Sequence, residues 1–217
     1  MDAKELIARR VAREIRPGSL VNLGIGLPSM VANFVPADLG VFFQAENGVI
    51  GLGARPPEGM EDAHLTDAGG GFVTAVPGAA SIDSAMSFGL IRGGHLDMTV
   101  LGGLQVDEAG HLANWKVPGK MVPGMGGAMD LVTGAARVVV AMQHAAKGQS
   151  KIVPRCTLPL TALRRVDLVV TDLAVIEPTG SGLILRERAP GVSVEEIRAA
   201  TEAALILPDT IPEMLLA

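Results

Sequence analysis

The chain has 217 residues, 48% of them hydrophobic and 19% charged, with 27 glycines and a net charge of −5. That length fits one domain that removes about seventy per cent of its unfolded surface from water, and the glycine content calls for many tight loops in a layered α/β fold. With no Tyr, one Trp and five Phe there is little to stack bases, and the negative charge offers phosphates no general attraction, so nucleic acid is a poor partner.

The N-terminus mixes Asp2, Lys4, Glu5, Arg9 and Arg10 without an apolar signal core, and the single Cys156 cannot close an internal disulfide, so a cytoplasmic protein is expected. Ala3, Ile7, Val11 and Ile15 recur at helical spacing and predict an amphipathic helix ending before Pro17-Gly18, packed on the outside of a sheet. No formal charge occurs from Pro17 to Ala37, but Asn22, Gly24, Gly26, Pro28, Asn33 and Pro36 interrupt that stretch. It therefore reads as buried strand, loop and helix, with no membrane span. Leu20 to Leu23 is the strand, Gly24-Ile25-Gly26 the turn, and Pro28 the first position of a helix through about Val35. Val41 to Phe43 is the next strand and Phe72 to Val76 another. Ser81 caps a helix that runs to about Ile91 and stops at Arg92-Gly93-Gly94.

Leu96 to Leu101 is a further strand ending in Gly102-Gly103, and Gln105 to Asn114 a hairpin turning at Asp107 to Gly110. A long glycine-rich loop follows. Arg137 to Met142 and Val166 to Thr171 are strands, Ala174 to Leu185 a hairpin around Pro178 to Gly182, and Ser193 caps a last helix to about Ala203. From Leu205 no period is clear. No repeat or linker divides the chain, so residues 1–217 are read as one mostly parallel α/β/α domain.

Phe42-Phe43-Gln44-Ala45-Glu46-Asn47-Gly48 carries the sharpest chemical signal. An apolar run stops at one carboxylate, a tight turn follows, and Gly51 and Gly53 come soon after. Glu46 is thereby expected at the carboxyl end of a strand, the edge at which open α/β sheets bind ligands. The plain alternative is a solvated glutamate beside a hairpin turn. Gly24-Ile25-Gly26-Leu27-Pro28-Ser29 departs from the dinucleotide fingerprint, because Ser29 stands in place of its third glycine. It can still admit an acyl or phosphate group to bare backbone N–H groups. In Pro118 to Asp130, Met121, Met125 and Met129 recur at four-residue spacing and prefer burial or contact with an apolar ligand. His64, His95, His111 and His144 lack metal-ligand spacing and read as surface or capping residues, so no metal is expected. Ser29, Ser81 and Cys156 have no recognisable base partner, which leaves the carboxylate as the reactive group.

Asn22 to Pro28, Glu46-Asn47-Gly48 with Gly51-Leu52-Gly53, Arg92-Gly93-Gly94-His95, Leu112 to Trp115 and the Pro118 to Asp130 loop together resemble the β subunit of 3-oxoacid CoA-transferases, nearest the acetate:acetoacetate or succinyl:acetoacetate type. The resemblance covers nearly the whole chain. It implies the CoA-transferase fold shared with ribose-5-phosphate isomerase relatives, an α subunit as partner in an α2β2 or larger heteromer, and coenzyme A as substrate and covalent intermediate without a permanently bound cofactor. It further implies Glu46 as the nucleophile and the Gly127 N–H as part of an oxyanion hole, with Gly24, Ile25, Gly26, Asn47, Gly48, Gly102 and Gly126 as contacts to substrate or CoA. The contacts to the CoA tail are not assigned to particular side chains: Lys116 and Lys120 are candidates, with solvated loop lysines the plainer reading. One departure is Ala45, where the family has Ser, so no side-chain hydrogen bond arises at that position. A 3-oxoadipate CoA-transferase is the nearest alternative. A sugar-phosphate isomerase using the carboxylate as a base, or a metabolite-sensing module, would be a different use of the same fold.

Overall fold

The computed structural model describes residues 1–119 and 125–217. Helix α1, Ala3–Ala12, opens on Asp2, whose side chain accepts the Glu5 N–H, and it buries Ile7, Ala8, Val11 and Ala12 on one side. The strands are β1 Leu20–Leu23, β2 Phe42–Gln44, β3 Val49–Leu52, β4 Ala75–Ser81, β5 Met98–Leu101, β6 Gln105–Asp107, β7 Leu112–Ala113, β8 Arg137–Ala141, β9 Ala145–Ala146, β10 Gln149–Ser150, β11 Ile152–Val153, β12 Leu168–Val170, β13 Ala174–Thr179, β14 Gly182–Arg188 and β15 Leu205–Ile206. Between them lie α2 Ser84–Arg92, α3 Ala128–Gly134, α4 Val194–Ala200 and two 3-10 segments, Leu27–Phe34 and Ala37–Leu39.

Ten strands form one sheet in the order β15-β14-β13-β12-β8-β5-β1-β2-β3-β4. Its centre, β12, β8, β5, β1 and β2, is parallel. Antiparallel β3 and β4 extend one side, and the β13–β14 hairpin extends the other. Because successive side chains of a strand face opposite ways, β8 sends Val138 and Val140 into one apolar cluster and Val139 and Ala141 into a second. The first cluster includes Ile91 of α2, Leu131 and Val132 of α3 and Ile197 of α4. The second includes Ile7 and Val11 of α1 and Val31 of the 3-10 segment. The expected α/β/α layering is therefore present, with strands buried on both faces reading as the continuous Val runs seen in β8 and β12.

Several elements differ from the sequence-based expectation. The segment after Gly26, Leu27–Phe34, is a 3-10 helix, opened by the Ser29 N–H bonding back three residues to Gly26 O at 3.1 Å. The predicted strand Phe72 to Val76 falls instead at Ala75–Ser81, across Pro77-Gly78, a pair that reads as a turn. β4 is one of the sheet's two edge strands, where a missing N–H is tolerated. Ser81 consequently ends that strand, and the cap of α2 is Asp83, whose carboxylate accepts the Met86 N–H at 2.8 Å. The expected Ser193 cap is present as a full capping box with Glu196, although α4 stops at Ala200. β1 and the Gln105 to Asn114 hairpin stand where expected, while β3 and β15 carried no signal strong enough to predict.

Candidate active site

Glu46 stands at the tip of the β2–β3 hairpin, past the carboxyl end of a parallel strand. The tip is held by Ala45 N–H bonding to Val49 O at 2.9 Å and Gly48 N–H bonding to Ala45 O at 3.0 Å. Gly48 has φ +120°, and a Cβ there would lie 2.0 Å from Ile82 O, so only glycine fits. The turn is pinned to the segment entering α2 by the Ile82 N–H, which bonds to Gly48 O at 2.9 Å. Asn47 donates from Nδ2 to Thr66 O at 2.8 Å. Asn47 and Gly48 thus build the turn, and neither is among the described residues that line the cavity beside Glu46.

The half-buried Glu46 side chain enters a cavity of about 400 Å³ lined also by Gly24, Ile25, Leu101, Gly102, Gly103, Leu104, Asn114, Trp115, Met125, Gly126, Gly127, Ala128 and Leu131. Five of the expected residues, Gly24, Ile25, Gly102, Gly126 and Gly127, therefore meet Glu46 around one space. Gly26 lines an adjoining cavity of about 280 Å³ that shares Gly24 and Ile25. Larger cavities of about 690 and 970 Å³ lie elsewhere, around Glu14, Arg16 and Arg165 and around Pro36, Phe42 and Phe72. Glu46 lines neither of them.

The glycine contacts are close. A Cβ on Gly127 would stand 3.3 Å from Glu46 Cγ and 3.3 Å from two ring atoms of Phe88, and one on Gly126 would stand 3.5 Å from Glu46 Oε1. Gly126 has φ +51°, whereas Gly127, at φ −83°, caps α3. No described residue accepts from the Gly127 N–H. On the opposite wall, Gly24 N–H bonds to Val100 O at 2.8 Å, and Asn114 donates from Nδ2 to Gly102 O at 3.2 Å while Thr161 donates to its Oδ1 at 2.7 Å. Trp115 is fixed by its Nε1–H bonding to Leu160 O at 3.1 Å, with the Lys116 ammonium 5.7 Å from its ring centre. Lys120 and Met121 lie outside the described residues, so of the expected methionine series only Met125 is seen to line the cavity. Sequence reading missed Phe88, Leu104 and Leu131. Phe88 gave no local signal, because its role depends on α2 and α3 meeting, a contact that the Arg92–Asp130 ion pair at 2.7 Å also spans.

Two titratable groups stand apart from this cavity. His144, expected as a surface or capping residue, is buried, with Nδ1 2.9 Å from Thr171 Oγ1 and Nε2 2.9 Å from Thr201 Oγ1. Burial lowers its pKa to about 4, only partly opposed by Asp172. The Cys156 thiol is pushed up to about 12, by burial and then by Asp107. Among the described residues, no group of three or more His, Cys, Asp or Glu side chains could hold a metal, and no helix is long and apolar enough to cross a membrane.

A lone carboxylate packed between glycine turns at the carboxyl edge of a parallel sheet narrows the family by its geometry, and comparison with known proteins decides it. A sequence model described as Coenzyme A transferase matches residues 4–200. This chain belongs to the coenzyme A transferase family. It is 55% identical over 215 residues to the beta subunit of the acetate CoA-transferase of Haemophilus influenzae, covering 99% of this chain and 96% of that one. It is 49% identical over 201 residues to the B subunit of the succinyl-CoA:3-ketoacid coenzyme A transferase of Helicobacter pylori, covering 92% of this chain and 97% of the relative. The crystal structure of an acyl-CoA transferase apoenzyme from Escherichia coli O157:H7 superposes on 99% of this chain with a TM-score of 0.79 and 22% identity, a likeness of fold. This chain spans 43% of that longer polypeptide. The matches to these two subunits make it a β-type coenzyme A transferase chain.

Proposed function

We propose that this chain supplies the nucleophile of an enzyme that moves coenzyme A between a short acyl-CoA, acetyl-CoA or succinyl-CoA, and a 3-oxo acid such as acetoacetate. The observation that carries the reading is the Glu46 carboxylate facing Gly126 and Gly127 in a cavity otherwise lined mostly by apolar residues and glycines. The names of the relatives support the substrate class and favour it over a sugar-phosphate isomerase or a sensing module.

The chemistry suits a carboxylate, which is ionised at neutral pH. One Glu46 oxygen attacks the thioester carbonyl, the carbonyl electrons move onto oxygen, and collapse of that oxyanion expels CoA thiolate and leaves an acyl–glutamyl anhydride. The thiolate then attacks the glutamyl carbonyl, releasing the first acid and forming a glutamyl-CoA thioester. The acceptor carboxylate repeats the sequence in reverse, so thioester energy is conserved and Glu46 is regenerated. Each step passes through an oxyanion. The Gly127 N–H is the proposed donor to it, and one well-placed donor contributes roughly 3 to 4 kcal/mol to lowering the barrier. No permanently bound cofactor is needed.

The partner in this reading is an α chain, in an α2β2 or larger heteromer in the cytoplasm, with residues 1–217 acting as one domain. Ile25, 71% exposed beside the cavity, supports a covering surface that keeps water from the anhydride. The test is mass spectrometry of the assembled αβ enzyme given acyl-CoA without acceptor. A peptide containing Glu46 is expected to gain CoA with loss of water, and an unmodified Glu46 during turnover would overturn the reading. Paired assays with acetoacetate and 3-oxoadipate as acceptors identify the acid, with activity expected on acetoacetate.

A further inference from the structure

Four neutral polar side chains are buried in a single row beneath the nucleophile. Asn22, Ser87 and Thr99 are 0% exposed and Gln44 is 1% exposed. Asn22 of β1 lies in register with Gln44 of β2 on one side and Thr99 of β5 on the other. Thr99 donates from Oγ1 to Asn22 Oδ1 at 3.2 Å, Asn22 donates from Nδ2 to Gln44 Oε1 at 2.9 Å, and Gln44 donates from Nε2 to Ser87 Oγ of α2 at 2.8 Å. All three donors point the same way along the row, the arrangement in which hydrogen bonds polarise one another. The Asn22 amide donates a second time, to Gln44 O at 3.0 Å, so it grips the backbone of β2 as well as its side chain.

Apolar side chains would fill these places at less cost, since each buried polar group must find its partner or lose 1 to 3 kcal/mol by typical values. What the row joins accounts for its position. Gln44 is the last residue of β2, two before Glu46, and Ser87 is followed by Phe88, whose ring meets the same face of Gly127 that Glu46 Cγ meets. One arm runs from Gln44 along the backbone to Glu46, the other from Gln44 through Ser87 and Phe88 to Gly127. The amide of Gln44 is where they join.

We propose that Gln44, held by Asn22 and bonded to Ser87, is a positioning residue that sets the separation of the Glu46 carboxylate from the Gly127 N–H. This rests on Glu46 acting as the nucleophile. Such a separation matters because displacement of about 1 Å in a reacting constellation can cost a hundredfold in rate.

The test uses the assembled αβ enzyme with Gln44→Met, which keeps length and volume but removes the amide, and Ser87→Ala, which leaves the strand untouched. It also uses the double variant, and Thr171→Val as a buried polar deletion outside the row. Steady-state kcat and KM for acyl-CoA, the single-turnover rate of CoA attachment at Glu46 and the melting temperature are measured for each. The expected result is a ten- to hundredfold loss of kcat in Gln44→Met with KM changed less than twofold, an equal slowing of CoA attachment, a double variant no slower than Gln44→Met, and near-normal kcat in Thr171→Val. If Gln44→Met does not assemble, Ser87→Ala carries the test, with a loss of at least fivefold expected. Full-rate attachment in the variants, losses in kcat that merely follow the melting temperature, or multiplying losses in the double variant would overturn the positioning role while leaving Glu46 in place. Absence of CoA on Glu46 in the unsubstituted enzyme would instead overturn the nucleophile reading, and this role with it.

Discussion

Gly127→Ala should remove catalysis out of proportion to its effect on stability. At φ −83° the backbone of residue 127 accepts alanine without strain, so the consequence comes from space alone. The new methyl would sit 3.3 Å from Glu46 Cγ and 3.3 Å from the Phe88 ring, and both must withdraw by a few tenths of an ångström. Overpacking of this kind costs about 1 to 3 kcal/mol, here toward the lower end because the cavity gives Glu46 room to swing. The rate should fall further, by about a hundredfold or more, because the carboxylate moves off the line of the Gly127 N–H and one oxyanion donor is lost. Gly126→Ala provides the contrast. Its Cβ makes an ordinary 3.5 Å contact with Glu46 Oε1, but φ +51° costs a non-glycine residue about 1 to 2 kcal/mol. Acyl-CoA:acetoacetate transfer by the two assembled variants, alongside their thermal unfolding, separates the effects. A Gly127→Ala enzyme within twofold of the normal kcat would refute the role given to that contact.

Glu46→Gln should abolish transfer and CoA attachment while leaving melting temperature and assembly with the α chain within experimental error of the original, and measurable turnover would refute the nucleophile. His144 makes stability depend on pH: its imidazole has an ordinary pKa of 6.5 when unfolded and about 4 when buried, so the fold is favoured in full above pH 6.5 and loses at most about 3 kcal/mol as pH falls toward 4. Urea unfolding at pH 7 and pH 5 should show a smaller difference for His144→Asn than for the original protein, and equal differences would count against it. Arg10 bonds Glu14 at 2.6 Å and Glu187 at 2.6 Å in a largely buried cluster, and Glu14 is also paired with Arg137, so Arg10→Met should strand Glu187 and lower stability by about 3 kcal/mol in denaturant titrations. Cys156, its thiol held up at about 12, should resist iodoacetamide at pH 8 in the native enzyme and react on unfolding, and rapid native alkylation would contradict its burial.

The parts of the fold that could be read from the chain are those set by local chemistry. The β-branched run of β8 and the capping box at Ser193 are complete within a few residues of sequence, and both appear where expected. What escaped is set by position in the sheet. Pro77-Gly78 stops a strand nearly anywhere except at an edge, and nothing local announces that β4 is an edge. The site divides in the same way. Glu46 and the glycines around it stand out because a carboxylate between turns is unusual, whereas Phe88 and the Asn22–Gln44–Ser87 row acquire meaning only when three strands and a helix come together. Asn47 and Gly48 were legible as a turn, but the groups that hold it were not, because Thr66 and Ile82 arrive from elsewhere in the chain.

An Asn-Gly pair is ordinarily a weak point for chemical ageing, since the glycine nitrogen can close on the asparagine carbonyl to form a succinimide and release ammonia. In this protein that nitrogen is engaged by Ala45 O, the asparagine amide is held by Thr66 O, and the glycine is wedged against Ile82 O. Ring closure would require the hairpin tip to come apart first. The bonds that aim the carboxylate beside it thus also protect this turn from deamidation over the working life of the enzyme.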